Sequence, residues 1–114
     1  MKVKLDFVTN SSSTAFVITN TSNKRKSLRE FVKENPQLIE EFINEYGYED
    51  DPQYSQGPLL KSAEEENIVF DAGEQKICIF GDEQGTLIGK VFDYILRDGG
   101  SSKSFTWSFH EYLR

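Results

Sequence analysis

The sequence predicts an α+β fold: a mostly antiparallel sheet of about five strands, with two to four helices packed on one face. Three observations predict it. Short segments alternate apolar and polar residues, the clearest being Phe105-Thr106-Trp107-Ser108-Phe109. Two longer segments carry apolar residues at helical spacing, Leu38 to Tyr46 and Leu87 to Leu96. The elements run ββ–αα(α)–ββ–α–β, without the regular βαβ repeat of a parallel doubly wound sheet.

The first strand is Val3, Leu5 and Phe7 alternating with Lys2, Lys4 and Asp6. Ala15-Phe16-Val17-Ile18 is the second. Between them stand Thr9-Asn10-Ser11-Ser12-Ser13-Thr14. Asn accepts a left-handed backbone and hydroxyls bond nearby backbone groups, so this stretch is expected as the polar tip of a hairpin. Asn20 to Lys26 is polar and is read as a solvated connection.

Ser27-Leu28-Arg29-Glu30 has capping-box spacing and starts a short helix reaching about Glu34. Asn35-Pro36 ends it and opens the next, with Asn35 as N-cap and Pro36 in the first turn. Leu38, Ile39, Phe42, Ile43 and Tyr46 give that helix one apolar face, and Gly47 stops it. Tyr48–Gly57 is expected as an exposed loop, with Tyr48 and Tyr54 as a possible protein-contact patch flanking Glu49-Asp50-Asp51. Pro58–Glu66 reads as a third, short helix.

Ile68-Val69-Phe70 and Ile77-Cys78-Ile79-Phe80 flank Asp71–Gln75 and read as a second hairpin. Thr86 suits the N-cap of the following helix. Its stripe of Leu87, Ile88, Val91, Phe92, Ile95 and Leu96 is wide enough for the central packing helix, and Gly99-Gly100 ends it. The final strand closes the order.

At 114 residues the chain is read as one domain, long enough to fold without metal or disulfide. The net charge of −6 argues against direct contact with nucleic acid or an anionic membrane, both of which need clustered Lys and Arg. Cys78 is the single cysteine, so no internal disulfide forms and a reducing cytoplasm is the expected setting. The charged start lacks the apolar core of a signal peptide, and no run approaches a membrane span.

No catalytic constellation emerges. Gly81, Gly85 and Gly89-Lys90 imitate a phosphate loop, but the spacing is one residue short and Val91 replaces the magnesium-binding hydroxyl. Cys78 and His110, each unique, are the minimum for thiol chemistry, yet Cys78 sits in an apolar strand and reads as packing. The carboxylates of Asp50-Asp51 and Glu64–Glu66 lack calcium-loop spacing. No metal and no cofactor is expected.

Phe7-Val8-Thr9-Asn10-Ser11-Ser12-Ser13, with Thr14, Ala15 and Phe16, resembles a recurring start, F-V-T-N-S-S-S-S-S-F. It belongs to small uncharacterised bacterial, archaeal and phage-encoded proteins. The resemblance covers about the first 18 residues and implies a prokaryotic or viral source and an intracellular protein.

The expected function is a non-enzymatic protein-interaction domain whose surface includes Thr9, Asn10, Ser11, Ser12, Ser13 and Thr14. One alternative is an enzyme or nucleotide-binding protein using the same tip as an anion site. The other is an acidic inhibitor that imitates DNA. The chain is expected as a monomer or homodimer, the latter if the last strand pairs with a second copy at a sheet edge.

Overall fold

The computed structural model describes residues 13–81 and 85–113. They form six strands and four helices: β1 Ser13–Asn20, β2 Lys26–Ser27, α1 Leu28–Glu34, α2 Gln37–Tyr46, α3 Gln56–Glu66, β3 Val69–Phe70, β4 Gln75–Gly81, α4 Leu87–Ile95, β5 Gly100–Ser101 and β6 Phe105–Leu113. The main sheet has the order β4-β1-β6-β5, every neighbour antiparallel, and β2 and β3 make a separate ribbon. This is the predicted α+β class, with four described strands in the main sheet.

The helices start and stop where local chemistry directs. Ser27 and Glu30 form the capping box: the Glu30 N–H donates to the Ser27 hydroxyl at 3.2 Å, and the Ser27 N–H to the Glu30 carboxylate at 2.9 Å. Thr86 caps α4 by accepting from the Gly89 N–H at 3.0 Å. Gly47 ends α2 at φ 77°.

Asn35 departs from expectation. Its amide donates back to the Phe31 carbonyl at 2.9 Å, so it closes α1 instead of opening α2, whose N-cap is Pro36. The α1 end also receives the β5–β6 turn. Glu34 accepts from the Ser102 hydroxyl and, at 2.7 Å, from the Ser104 N–H.

Aromatic rings bind the helices to the sheet. Phe31 of α1 meets Phe92, Phe105 and Trp107 edge-on at 5.6, 5.1 and 5.1 Å. Phe92 of α4 meets Phe80 of β4 at 5.3 Å, and Phe70 meets Phe105 at 5.7 Å. Edge-to-face contacts place the positive ring rim on the negative face, which adds about 0.5–1.5 kcal/mol per pair to area burial. A polar bond joins α3 to α4: the Ser62 hydroxyl accepts from the Ile88 N–H at 3.1 Å.

Strand pairing corrects three expectations. β3 and β4 do not form a hairpin: β3 pairs with β2, and β4 with β1. The turn itself exists, with the Glu74 N–H donating to the Asp71 carbonyl at 2.9 Å, but the strands leave it for different sheets. Secondly, β1 includes Ser13 and Thr14, so these two lie in a buried central strand and not at a solvated tip. The hairpin partner Val3–Phe7 lies outside the described residues, and both edges of β1 are occupied by β4 and β6. Thirdly, β6 continues to Leu113, with a bulge where the register shifts between Ala15 and Phe16.

Two polar stretches are also more ordered than expected. Asn20 is fully buried. Its amide donates to the carbonyls of Lys24, Phe70 and Asp71 at 2.7, 3.2 and 3.1 Å, and its oxygen accepts from the Ser22 N–H and hydroxyl. In the loop after α2, Tyr54 is buried and stacks on Tyr48 at 4.1 Å and on Phe42 at 5.7 Å. The two tyrosines therefore pack inward instead of forming a contact patch.

Candidate functional site

Six residues before its C-terminal neighbour Gly99, α4 carries a charged residue inside its apolar stripe. Asp93 is only 1% exposed. An ionised carboxylate in such a place needs partners, and β1 supplies one. The Thr14 hydroxyl donates to Asp93 Oδ1 at 2.5 Å. Arg97, one helical turn on, places Nη2 3.3 Å from the same oxygen and donates from Nε to the Asp93 backbone carbonyl at 2.7 Å. Asp93 Oδ2 has no hydrogen-bond partner among the described residues.

The arginine is held on its faces as well. Its guanidinium lies 4.8 Å from the Tyr94 ring and 5.1 Å from the Tyr112 ring. Cation–π attraction of this kind is worth about 0.5–1 kcal/mol at exposed sites. Tyr94 then meets Tyr46 at 5.3 Å, and Tyr112 meets Phe109 at 4.7 Å. The result is a continuous stripe, Tyr46–Tyr94–Arg97–Tyr112–Phe109, crossing from α2 over α4 to β6. Tyr46, Tyr112 and Phe109 are 44%, 50% and 39% exposed, unusual for such large rings.

Register joins this stripe to the opening sequence motif. Thr14 pairs with Tyr112, and Ser13 with Leu113. Of the six residues singled out in the sequence, Thr9, Asn10, Ser11 and Ser12 lie outside the described residues. Ser13 and Thr14 stand at the start of β1, beside the stripe. The hydroxyl of Thr14 is turned to a carboxylate, an arrangement that disfavours an anion at that point.

A groove of about 350 Å³ runs along the stripe's α2 end, between Tyr46 and Tyr94 on one side and the Asp98–Ser101 segment on the other. Glu41, Glu45 and Asp98 border it. Gly100 is required in its wall: a Cβ there would lie 2.6 Å from Trp107 Cζ2.

The remaining sequence candidates are not drawn together. Cys78 is buried in β4, and His110 is exposed on β6, with β1 between the two strands. Burial pushes the Cys78 thiol up to about 11, despite the opposing pull of Lys76, so it is not a nucleophile at neutral pH. Gly89 lies inside α4, and the Ile88 and Gly89 N–H groups already donate to Ser62 and Thr86. That leaves them unavailable to cradle a phosphate. Lys90 lies 5.1 and 5.3 Å from the Tyr48 and Tyr54 ring centres, and the Tyr54 side chain, then Tyr48, holds its pKa above the ordinary lysine value. Among the described residues no group of three or more His, Cys, Asp or Glu is placed to hold a metal ion. No helix among them is long and apolar enough to cross a membrane.

Sequence reasoning missed Asp93, Arg97, Tyr94 and Tyr112. One signal was readable: a lone Asp within an apolar stripe, with Arg four residues on. Comparison with protein-family models, with curated proteins and with solved structures finds no match for the chain.

Proposed function

We propose that the protein is a non-enzymatic protein-interaction domain. Its partner surface comprises the stripe from Tyr46 to Phe109 and the residues Thr9, Asn10, Ser11 and Ser12 that precede β1 in the chain. The observation that carries this reading is the immobilised Arg97, bonded twice to Asp93 and lying against the Tyr94 and Tyr112 rings, in a row whose Tyr46, Tyr112 and Phe109 rings are exposed. Tyr and Arg dominate binding energy at protein interfaces because they offer large contact area and several donors. Holding them rigid before contact lowers the entropy lost on binding. The aromatic row also fits protein contact better than DNA mimicry, which needs a dense carboxylate array. The Thr14–Asp93 bond weighs against an anion site at that end.

A photo-crosslinking residue at Tyr46, compared with one at Glu64 on α3, tests the reading in lysate of the source cell. A protein adduct specific to the Tyr46 position is expected. It should fall at least about tenfold in Arg97→Ala, since truncating such an anchor costs about 2 kcal/mol or more. It should also fall when Ser11 and Ser12 are changed to Ala. Equal labelling at both positions, or none, removes the proposal.

A further inference from the structure

Among the described residues, the outer edge of β6 is only partly covered. β5 pairs with Thr106 and Trp107 and goes no further. From Ser108 to Tyr112 the strand has β1 on its inner side and, among the described residues, no strand on its outer side. An edge of this length is a template for another strand, and natural edges are usually short or covered.

The side chains on that edge are self-complementary. Phe109 and Tyr112 share a face of the sheet: they pair with Phe16 and Thr14, and their rings meet at 4.7 Å. The bulge makes this possible, since it places two residues between them instead of one. Those two are His110 and Glu111, whose side chains are 44% and 59% exposed and lie 3.4 Å apart.

We infer that a second copy of this chain pairs with β6 along this edge, antiparallel about a two-fold axis between His110 and Glu111. The inference deepens the interaction-domain reading, on which it rests, by naming the partner at the β6 end of the stripe. In this register Phe109 faces Tyr112 of the partner subunit, twice by symmetry. Each His110 imidazole, a donor, faces a Glu111 carboxylate, an acceptor, also twice. Neighbouring registers fail. A one-residue shift one way sets the two Glu111 carboxylates against each other, and the shift the other way sets Phe109 against Glu111, which belong to opposite faces. The paired strands join the two main sheets into one continuous sheet centred on the two copies of β6. Four aromatic rings then cluster on the face that carries Arg97, and two imidazole–carboxylate pairs lie on the other.

Sedimentation equilibrium of the full chain is the test, with three variants. A monomer–dimer equilibrium near about 10–100 μM is expected, the weak range for a contact of this size. Glu111→Lys alone and His110→Glu alone should each weaken the dimer at least about tenfold, because each misplaced charge occurs twice. The double variant His110→Glu with Glu111→Lys restores opposite charges across the axis and should recover the dimer. Both side chains are exposed, so circular dichroism should show all three variants folded. A monomer at every concentration up to about 1 mM overturns the inference, as does a dimer that the single variants leave intact or the double variant does not restore. Crosslinking at Tyr46 of a folded Glu111→Lys variant separates the two readings. Adduct retained without a dimer sinks only the self-pairing; a dimer without any Tyr46 adduct sinks only the wider partner surface.

Discussion

Thr14 and Asp93, 79 residues apart in the chain, share one short hydrogen bond in the interior. It joins the central strand to the helix that covers it. It also orients the carboxylate that holds Arg97 in the exposed stripe. A buried polar link thus sets the position of a surface side chain.

Thr14→Val removes the hydroxyl at nearly constant volume and leaves Asp93 with Arg97 alone. The expected loss is about 1–3 kcal/mol, the cost of leaving a buried polar atom underbonded. A double-mutant cycle with Asp93→Asn, followed by urea unfolding, should show coupling of about 0.5–3 kcal/mol. Strict additivity would show that the bond contributes nothing of its own.

Glu34 gives the fold an acid sensitivity. Burial raises its pKa, but the hydrogen bonds from Ser102 and Ser104, aided by Lys26, outweigh that and leave it below the ordinary carboxylate value. A depressed folded pKa contributes stability that is present above the unfolded pKa, ~4.3, and is lost as pH falls through the folded value. Glu34→Gln should therefore lower the melting temperature at pH 7, and the gap to wild type should close on acidification below about pH 4. A gap independent of pH would assign the effect to packing.

Gly100→Ala should destabilise the β5–β6 turn. The added methyl would meet the Trp107 ring at 2.6 Å, and that ring is buried against Phe31. Overpacking of this kind costs about 1–3 kcal/mol. Trp107 is the only tryptophan, so its fluorescence reports the site directly. An unchanged emission maximum with unchanged stability would refute the contact.

Cys78 should be inert in the folded protein. With the thiol pushed up to about 11 and buried, the reactive thiolate is scarce and shielded at pH 8. A disulfide reagent should label native chain at least about a hundredfold more slowly than unfolded chain, tracking its opening. Fast native labelling would place the thiol at the surface.

What the sequence determined by itself was local. The Ser27–Glu30 capping box, the α2 and α4 stripes, the Gly47 stop and the alternation of Phe105 with Trp107 all arise between residues a few positions apart. Their physics is complete within one turn or one strand, so the α+β class could be read directly. Strand partners could not. The turn at Asp71–Glu74 is real, yet Phe70 is drawn into the core against Phe105 while β4 follows β1, because burial of an aromatic ring outweighs the convenience of a short hairpin. Ser13 and Thr14 have the composition of a turn and the position of a central strand. Only tertiary structure brings Asp93 to Thr14, and a buried carboxylate turns a turn-forming hydroxyl into an interior donor. The exposed stripe has the same origin: its rings come from α2, α4 and β6, and no spacing along the chain announces that they meet.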